Sequence, residues 1–228
     1  MCAQYLIKKN IKNLQEVFQL TFDIDDSDFP RRVLPYTTAP VITPDHKVKA
    51  MNFSLIPIWS KERKVKFATH NARLDTVAIK PTWKRPFTQN HCIVPISSFV
   101  EPIYTGKHAG HMVAFDSNEP LLAVGITDTW TDRQTGEHIE SFSIVTDDPS
   151  DYVAKIGHDR QPVFLNSKNA EFWLNPPTND TEDLIQFLKE NAIVPTLSIE
   201  IDRPMAKGWE KRIPKDRKST RLNSSHAN

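Results

Sequence analysis

The sequence predicts an α+β fold, a single domain with a mainly antiparallel, barrel-like β-sheet and peripheral helices. Three observations lead there. Strand signals cluster between residues 111 and 147, where Met112-Val113-Ala114-Phe115, Leu121 to Ile126 and Ser141 to Val145 alternate with turns. Helical spacing is confined to short stretches, among them Glu171-Phe172-Trp173-Leu174 and Leu184, Ile185, Phe187 and Leu188. The 228 residues, 39% hydrophobic and 25% charged, suit one globular domain with a full core rather than two small ones.

In chain order, Gln4 to Ile7 reads as a strand, and Leu14, Val17, Phe18 and Leu20 recur at near-helical spacing within residues 10–20. The acidic run from Asp23 to Asp28 lacks the glycine and terminal glutamate of a calcium loop and reads as a solvated loop. Residues 31–40 should be extended, because residues before Pro35 and Pro40 avoid the helical region. Val65 to Thr69 reads as a strand, followed by a short helix through Leu74, Val77 and Ala78 that ends near Pro81. Cys92 to Ile96 has the apolar run of a buried strand, with Cys92 as a small core residue. Asp132 to Gly136 is a hairpin loop. Asp147-Asp148-Pro149 carries start signals for a helix through Lys155. Leu197 to Ile201 alternates as a closing strand.

Composition narrows the function. Two cysteines give no disulfide framework, and there is neither a secretory signal nor an apolar run near the ~20 residues of a membrane span. A cytoplasmic protein without membrane contact is expected. No glycine-rich phosphate loop and no paired-cysteine spacing occurs, so no cofactor and no metal are expected. A formal net charge of +1 leaves nucleic acid open, since a local basic groove suffices. The most basic aromatic stretch is Lys80, Trp83, Lys84, Arg85 and Phe87, which reads either as a nucleic-acid path or as a solvated face. The domain is expected to span residues 1–215. The polar, basic tail 216–228 reads like a translated sequencing adapter and should be disordered and foreign to the fold.

The N-terminus carries the chemistry. Met1 precedes a small residue, so its removal would leave Cys2 with a free α-amine beside its thiol. Unperturbed, the amine titrates near ~7.7 to 8.0 and the thiol near ~8.5, so a fraction of each is nucleophilic at neutral pH. An aldehyde can condense with the amine to an imine, and the adjacent thiol can close a thiazolidine. A cysteine at position 2 also occurs with no such role.

The chain resembles the SOS-response-associated peptidase family. The resemblance rests on Met1-Cys2-Ala3-Gln4-Tyr5, Tyr36-Thr37-Thr38-Ala39-Pro40, Leu55-Ile56-Pro57-Ile58-Trp59, Asn71-Ala72-Arg73, Pro95 to Pro102 and His158-Asp159-Arg160-Gln161-Pro162, in order across most of the chain. It implies covalent capture of ring-opened abasic sites in single-stranded DNA through Cys2, with lyase-like chemistry. The alternative is an N-terminal-cysteine peptidase or amidohydrolase, including autocatalytic removal of Met1. By the same resemblance Asn71 orients the reacting groups, Glu101 and His158 move protons, and Arg73 and Arg160 hold phosphates. Asn71 also reads as a helix N-cap. Phe53 stands where the family has a base-stacking aromatic, and reads equally as a core residue; Trp59 reads as core. Thr37 replaces a usual asparagine, and Gln161 replaces a usual methionine, a change of packing rather than chemistry. The implied partner is abasic single-stranded DNA, and a bacterial, nucleoid-associated monomer is expected.

Overall fold

The computed structural model describes residues 4–7, 19–22 and 30–213. The expected helix over residues 10–20, the acidic run, Cys2 and the tail lie wholly or mostly outside them.

In chain order the strands and helices begin with β1 (Gln4–Leu6), β2 (Thr21–Phe22), β3 (Arg32–Val33), β4 (Thr38–Ile42), β5 (Lys47–Phe53) and β6 (Asn71–Arg73). There follow α1 (Pro81–Gln89), β7 (His91–Ile103), β8 (His111–Thr131), β9 (His138–Asp147), α2 (Asp151–Ile156), β10 (Gln161–Pro162) and β11 (Phe164–Leu165). The remainder is α3 (Ser167–Leu174), α4 (Thr181–Asn191), β12 (Ser198–Pro204) and a 3-10 turn at Trp209–Arg212. Pairing runs β8-β9-β5-β4-β7 and returns to β8 through the β7–β8 ladder, which closes a five-stranded barrel. β7 on β8 and β8 on β9 are antiparallel, whereas the β5–β9 and β6–β9 seams are parallel.

Period-two alternation splits the apolar side chains into two cores. One fills the barrel: Val41, Met51, Phe53, Cys92, Val94, Phe115, Ala123, Phe142 and Ile144 are buried together. Their neighbours in the strands, Ile42, Ile93, Val124 and Val145, face outward and meet Phe87 of α1, Trp173 of α3 and Leu184 and Leu188 of α4. Both faces of β7 are therefore covered, which is why its run of buried residues is nearly unbroken.

Three local expectations are corrected. The helix near Pro81 starts there instead of ending, because proline at the first helical position loses no hydrogen bond. Asn71 lies on strand β6 and caps no helix. Residues 65–69 form no strand. Trp83 and Phe87 point into the outer core, so they offer no stacking surface, and Arg85 pairs with Asp128 at 2.8 Å.

Gly125 sits opposite Cys92 in the β7–β8 ladder. A Cβ there would lie 2.6 Å from the Cys92 Sγ and 2.9 Å from Val94 Cγ2, both fixed core atoms. Gly125→Ala should therefore destabilise the protein by about 1–3 kcal/mol as the core overpacks. Urea unfolding checks this; an unchanged midpoint would mean that the barrel relaxes around the methyl group.

Candidate active site

The site is assembled at one end of the β7 strand. Glu101 lies on β7, completely buried, with Oε2 3.2 Å from His158 Nε2. His158 is itself buried and follows helix α2 by two residues. What delivers it is the turn at Gly157, whose φ of +109° belongs to the left-handed region. A Cβ at Gly157 would lie 2.8 Å from the Thr105 backbone oxygen, so only glycine lets α2 end this close to the β7–β8 hairpin. Gln161 helps from the other side: its Oε1 accepts a hydrogen bond from Ser150 N at 2.9 Å, where Ser150 caps α2.

The His158 Nδ1 lies 2.8 Å from the Arg160 backbone oxygen. A carbonyl can only accept, so Nδ1 carries the proton and donates it, the Arg160 N–H at 3.2 Å being a lesser contact. That leaves Nε2 facing the Glu101 carboxyl. Burial alone would push the Glu101 carboxyl up, but the positive charge facing it, His158 foremost, holds it below the usual range. Nε2 and the carboxyl oxygen stand close enough to pass a proton between them without solvent.

β6 runs parallel to β9 with Asn71 opposite Ile144, and Asn71 is buried. Its neighbour His70 stands edge-on to Phe53, 5.8 Å between centroids. Burial pushes the His70 imidazole down from its ordinary value, while the charge of Glu101 pulls it up, so β6 and β7 share one electrostatic environment. Arg73, at the end of β6, is half-exposed and forms two hydrogen bonds to Asp75, of 3.2 and 2.7 Å. Arg160 Nη2 bonds the same carboxylate at 2.7 Å. Two guanidinium groups therefore share Asp75, whose hydrogen bond from Arg73, foremost, lowers its pKa to about 2. The contacts run continuously from Arg73 through Asp75 and Arg160 to His158 and Glu101.

The chain as a whole has counterparts among known proteins. The family model for SOS response associated peptidase (SRAP) matches residues 1–201. The chain belongs to this family. Among its SRAP relatives, the abasic site processing protein YoqW of Bacillus subtilis (strain 168) is 25% identical over 196 residues, covering 83% of this chain and 87% of that protein. The abasic site processing protein HMCES of Gallus gallus is 31% identical over 202 residues, covering 75% of this chain and 60% of its own. A crystal structure of a Bacteroides thetaiotaomicron protein matches with a TM-score of 0.73 at 25% identity, covering 89% of this chain and 92% of that one.

Within the SRAP fold two side chains expected at the DNA are buried. Phe53 is 0% exposed, edge-on to Tyr5 at 5.3 Å and stacked on Phe142 at 5.2 Å inside the barrel, so it has no face to offer a base. Arg160 is buried, with Nη2 on Asp75 at 2.7 Å and Nη1 3.8 Å from Asp148 and 4.0 Å from Asp147. Reading the sequence also missed an aromatic surface. Trp59 is 49% exposed and stacks on half-exposed Phe67 at 6.4 Å, and the Lys64 Nζ stands 5.2 Å over the ring of exposed Tyr36. The signal was the basic run Lys61, Arg63, Lys64 and Lys66 around those rings, in a segment with no regular strand to bury them. Thr37, in the same turn as Tyr36, spends its hydroxyl on the Leu34 carbonyl at 2.7 Å.

The two arginines should separate experimentally. Arg73→Ala is expected to lower the salt-dependence slope of single-strand binding by roughly 0.7, one phosphate contact. Arg160→Ala should leave that slope alone and cost about 1.5–3 kcal/mol of stability, the loss of a buried charged hydrogen bond. Fluorescence anisotropy against salt and urea unfolding check the pair; a slope loss for Arg160→Ala alone would reverse the assignment.

Proposed function

We propose that this protein captures the ring-opened aldehyde of an abasic site in single-stranded DNA as a covalent adduct on Cys2. The observation that carries the reading is the buried Glu101–His158 couple, its two groups 3.2 Å apart, with Glu101 on the strand to which β1, two residues after Cys2, is paired. The naming of relatives as abasic site processing proteins supports the same substrate.

The steps follow from the groups at hand. The Cys2 α-amine adds to the aldehyde carbon, forming a carbinolamine; Glu101 accepts the ammonium proton and His158 supplies the proton with which water leaves. Asn71 orients the opened sugar. The resulting imine is attacked by the Cys2 thiolate, forming the C–S bond and closing the thiazolidine, and the imine nitrogen takes up a proton. One water is lost overall. Without thiol closure the imine can eliminate the 3′ phosphate, which is the lyase outcome. Arg73 contacts the backbone, and the Trp59–Phe67 pair with the lysines around it gives unpaired bases a stacking platform, each stacked base worth about 1–3 kcal/mol. A duplex would hide those bases, which favours a single strand.

The test is intact mass after incubation with an abasic single strand and no reductant. The expected product is protein lacking Met1 plus DNA minus one water. Absence of an adduct, or a protein that retains Met1, overturns the reading; cleavage of peptides by the same preparation would favour an amidohydrolase.

A further inference from the structure

The strand that follows the N-terminal cysteine is held by a four-residue clamp whose outer half lies beyond the segment matched by the family model, residues 1–201. β12 pairs with β8 from Ser198 to Pro204, but its register shifts between Ile201 and Arg203. Asp202 is the extra residue of that bulge. A bulged residue leaves the ladder and its side chain is re-aimed. Here it turns towards β3 and grips the Arg32 guanidinium through both oxygens, Nη2 to Oδ1 at 2.5 Å and Nη1 to Oδ2 at 3.2 Å. Arg203 also bonds Asp202, and its Nη2 donates to Gln4 Oε1 at 2.8 Å. Arg32 Nη1 donates to the same Gln4 oxygen at 3.2 Å. The ring Gln4–Arg32–Asp202–Arg203 joins three chain segments distant in sequence.

Its location gives it a consequence. Gln4 pairs with Val100 on β7, next to Glu101, and Ile201 pairs with Val113, which pairs with Glu101. The clamp thus holds Gln4, one residue along from the Glu101 row, and Asp202, next to the Ile201 of that row. Cys2 is two residues before Gln4, a chain length of at most about 7 Å. A side chain that fixes Gln4 therefore limits where the nucleophile can stand relative to Glu101. Two arginines on one amide oxygen would repel each other; the Asp202 carboxylate, 13% exposed, binds both and offsets part of that repulsion.

We propose that Asp202 is a positioning residue for the N-terminal nucleophile, acting with Arg203 and Arg32 through Gln4. The inference rests on the function proposed above. It concerns geometry and not fold stability, because β12 keeps its ladder to β8 and its far end is held independently: Met205 N bonds the Gly110 oxygen at 2.8 Å, and Trp209 packs on Gly110.

The experiment compares Asp202→Asn, Asp202→Glu and Asp202→Asn combined with Glu101→Gln in single-turnover cross-linking at saturating abasic single strand. Asp202→Asn should slow adduct formation by about tenfold or more, since small misplacement of reacting groups is costly. Its affinity for a strand carrying a tetrahydrofuran in place of the abasic sugar should match the parent, and its fall in melting temperature should be too small to account for the loss of rate. Asp202→Glu, which keeps the charge, should recover part of the rate. In the Glu101→Gln background the Asp202 change should have little further effect, because both act on one encounter. A parent-like rate for Asp202→Asn, a loss that tracks melting temperature or affinity, or effects that multiply with Glu101→Gln would each overturn the inference while the covalent function stands. If the parent itself forms no adduct, both fall together.

Discussion

Glu101→Gln is expected to slow adduct formation by about 10²- to 10⁴-fold, the range for removing a positioned acid-base group, with little change in affinity for the DNA. Glutamine keeps the shape of the side chain but can neither accept the ammonium proton nor face His158 with a carboxylate. The carboxyl is wholly buried, so no water can substitute as base at that position. Its DNA affinity should persist because Arg73 and the Trp59–Phe67 surface are untouched. The same variant has a signature in stability. The folded Glu101 carboxyl sits below its ordinary pKa, so its ionisation stabilises the protein above the unfolded glutamate value. That contribution is lost as pH falls through the lower folded value. Stability of the parent should accordingly decline more steeply than that of Glu101→Gln as pH drops below the ordinary glutamate range. Single-turnover gels and urea unfolding at neutral and acid pH measure the two effects; a rate loss matched by an equal loss of affinity would make Glu101 a structural residue instead.

The sheet was legible in the sequence because β8, β9 and β12 carry local patterns, alternation and turn residues, that need no partner to be read. Closure of the barrel was less so: the β4–β7 seam rests on the single register pair Ile42 and Ile93, which no local pattern marks. Trp59 left its expected place in the core, and Phe53 took the core one of its two readings, for a related reason. Phe53 ends a strand whose alternation turns it into the barrel, whereas Trp59 lies in an irregular segment where hydrophobicity alone does not imply burial. Asn71, Glu101 and His158 could be named from motifs, but Asp75 could not. It matters only because folding brings Arg160, 85 residues away, onto the carboxylate already held by Arg73. Asp202 is hidden in the same way, since a bulge depends on the register of two strands and leaves no mark in either one alone.

The comparison of Cys2→Ser with Cys2→Ala should give the largest change of all, from a stable trap to none. Both variants retain a free α-amine once Met1 is removed, so both can form an imine with the abasic aldehyde, and borohydride should trap it. Alanine has no second nucleophile. The serine hydroxyl is far weaker than a thiolate and would close at best an oxazolidine, which hydrolyses readily. Because the Glu101–His158 couple remains intact in both, proton transfer to and from the imine should continue, and elimination then becomes the available exit. Each variant should nick the strand at the abasic site where the parent holds it. Denaturing gels with and without borohydride separate these products. An adduct from Cys2→Ala that survives heating without reductant would mean that a nucleophile other than the thiol locks the product, and thiazolidine closure would no longer explain the capture.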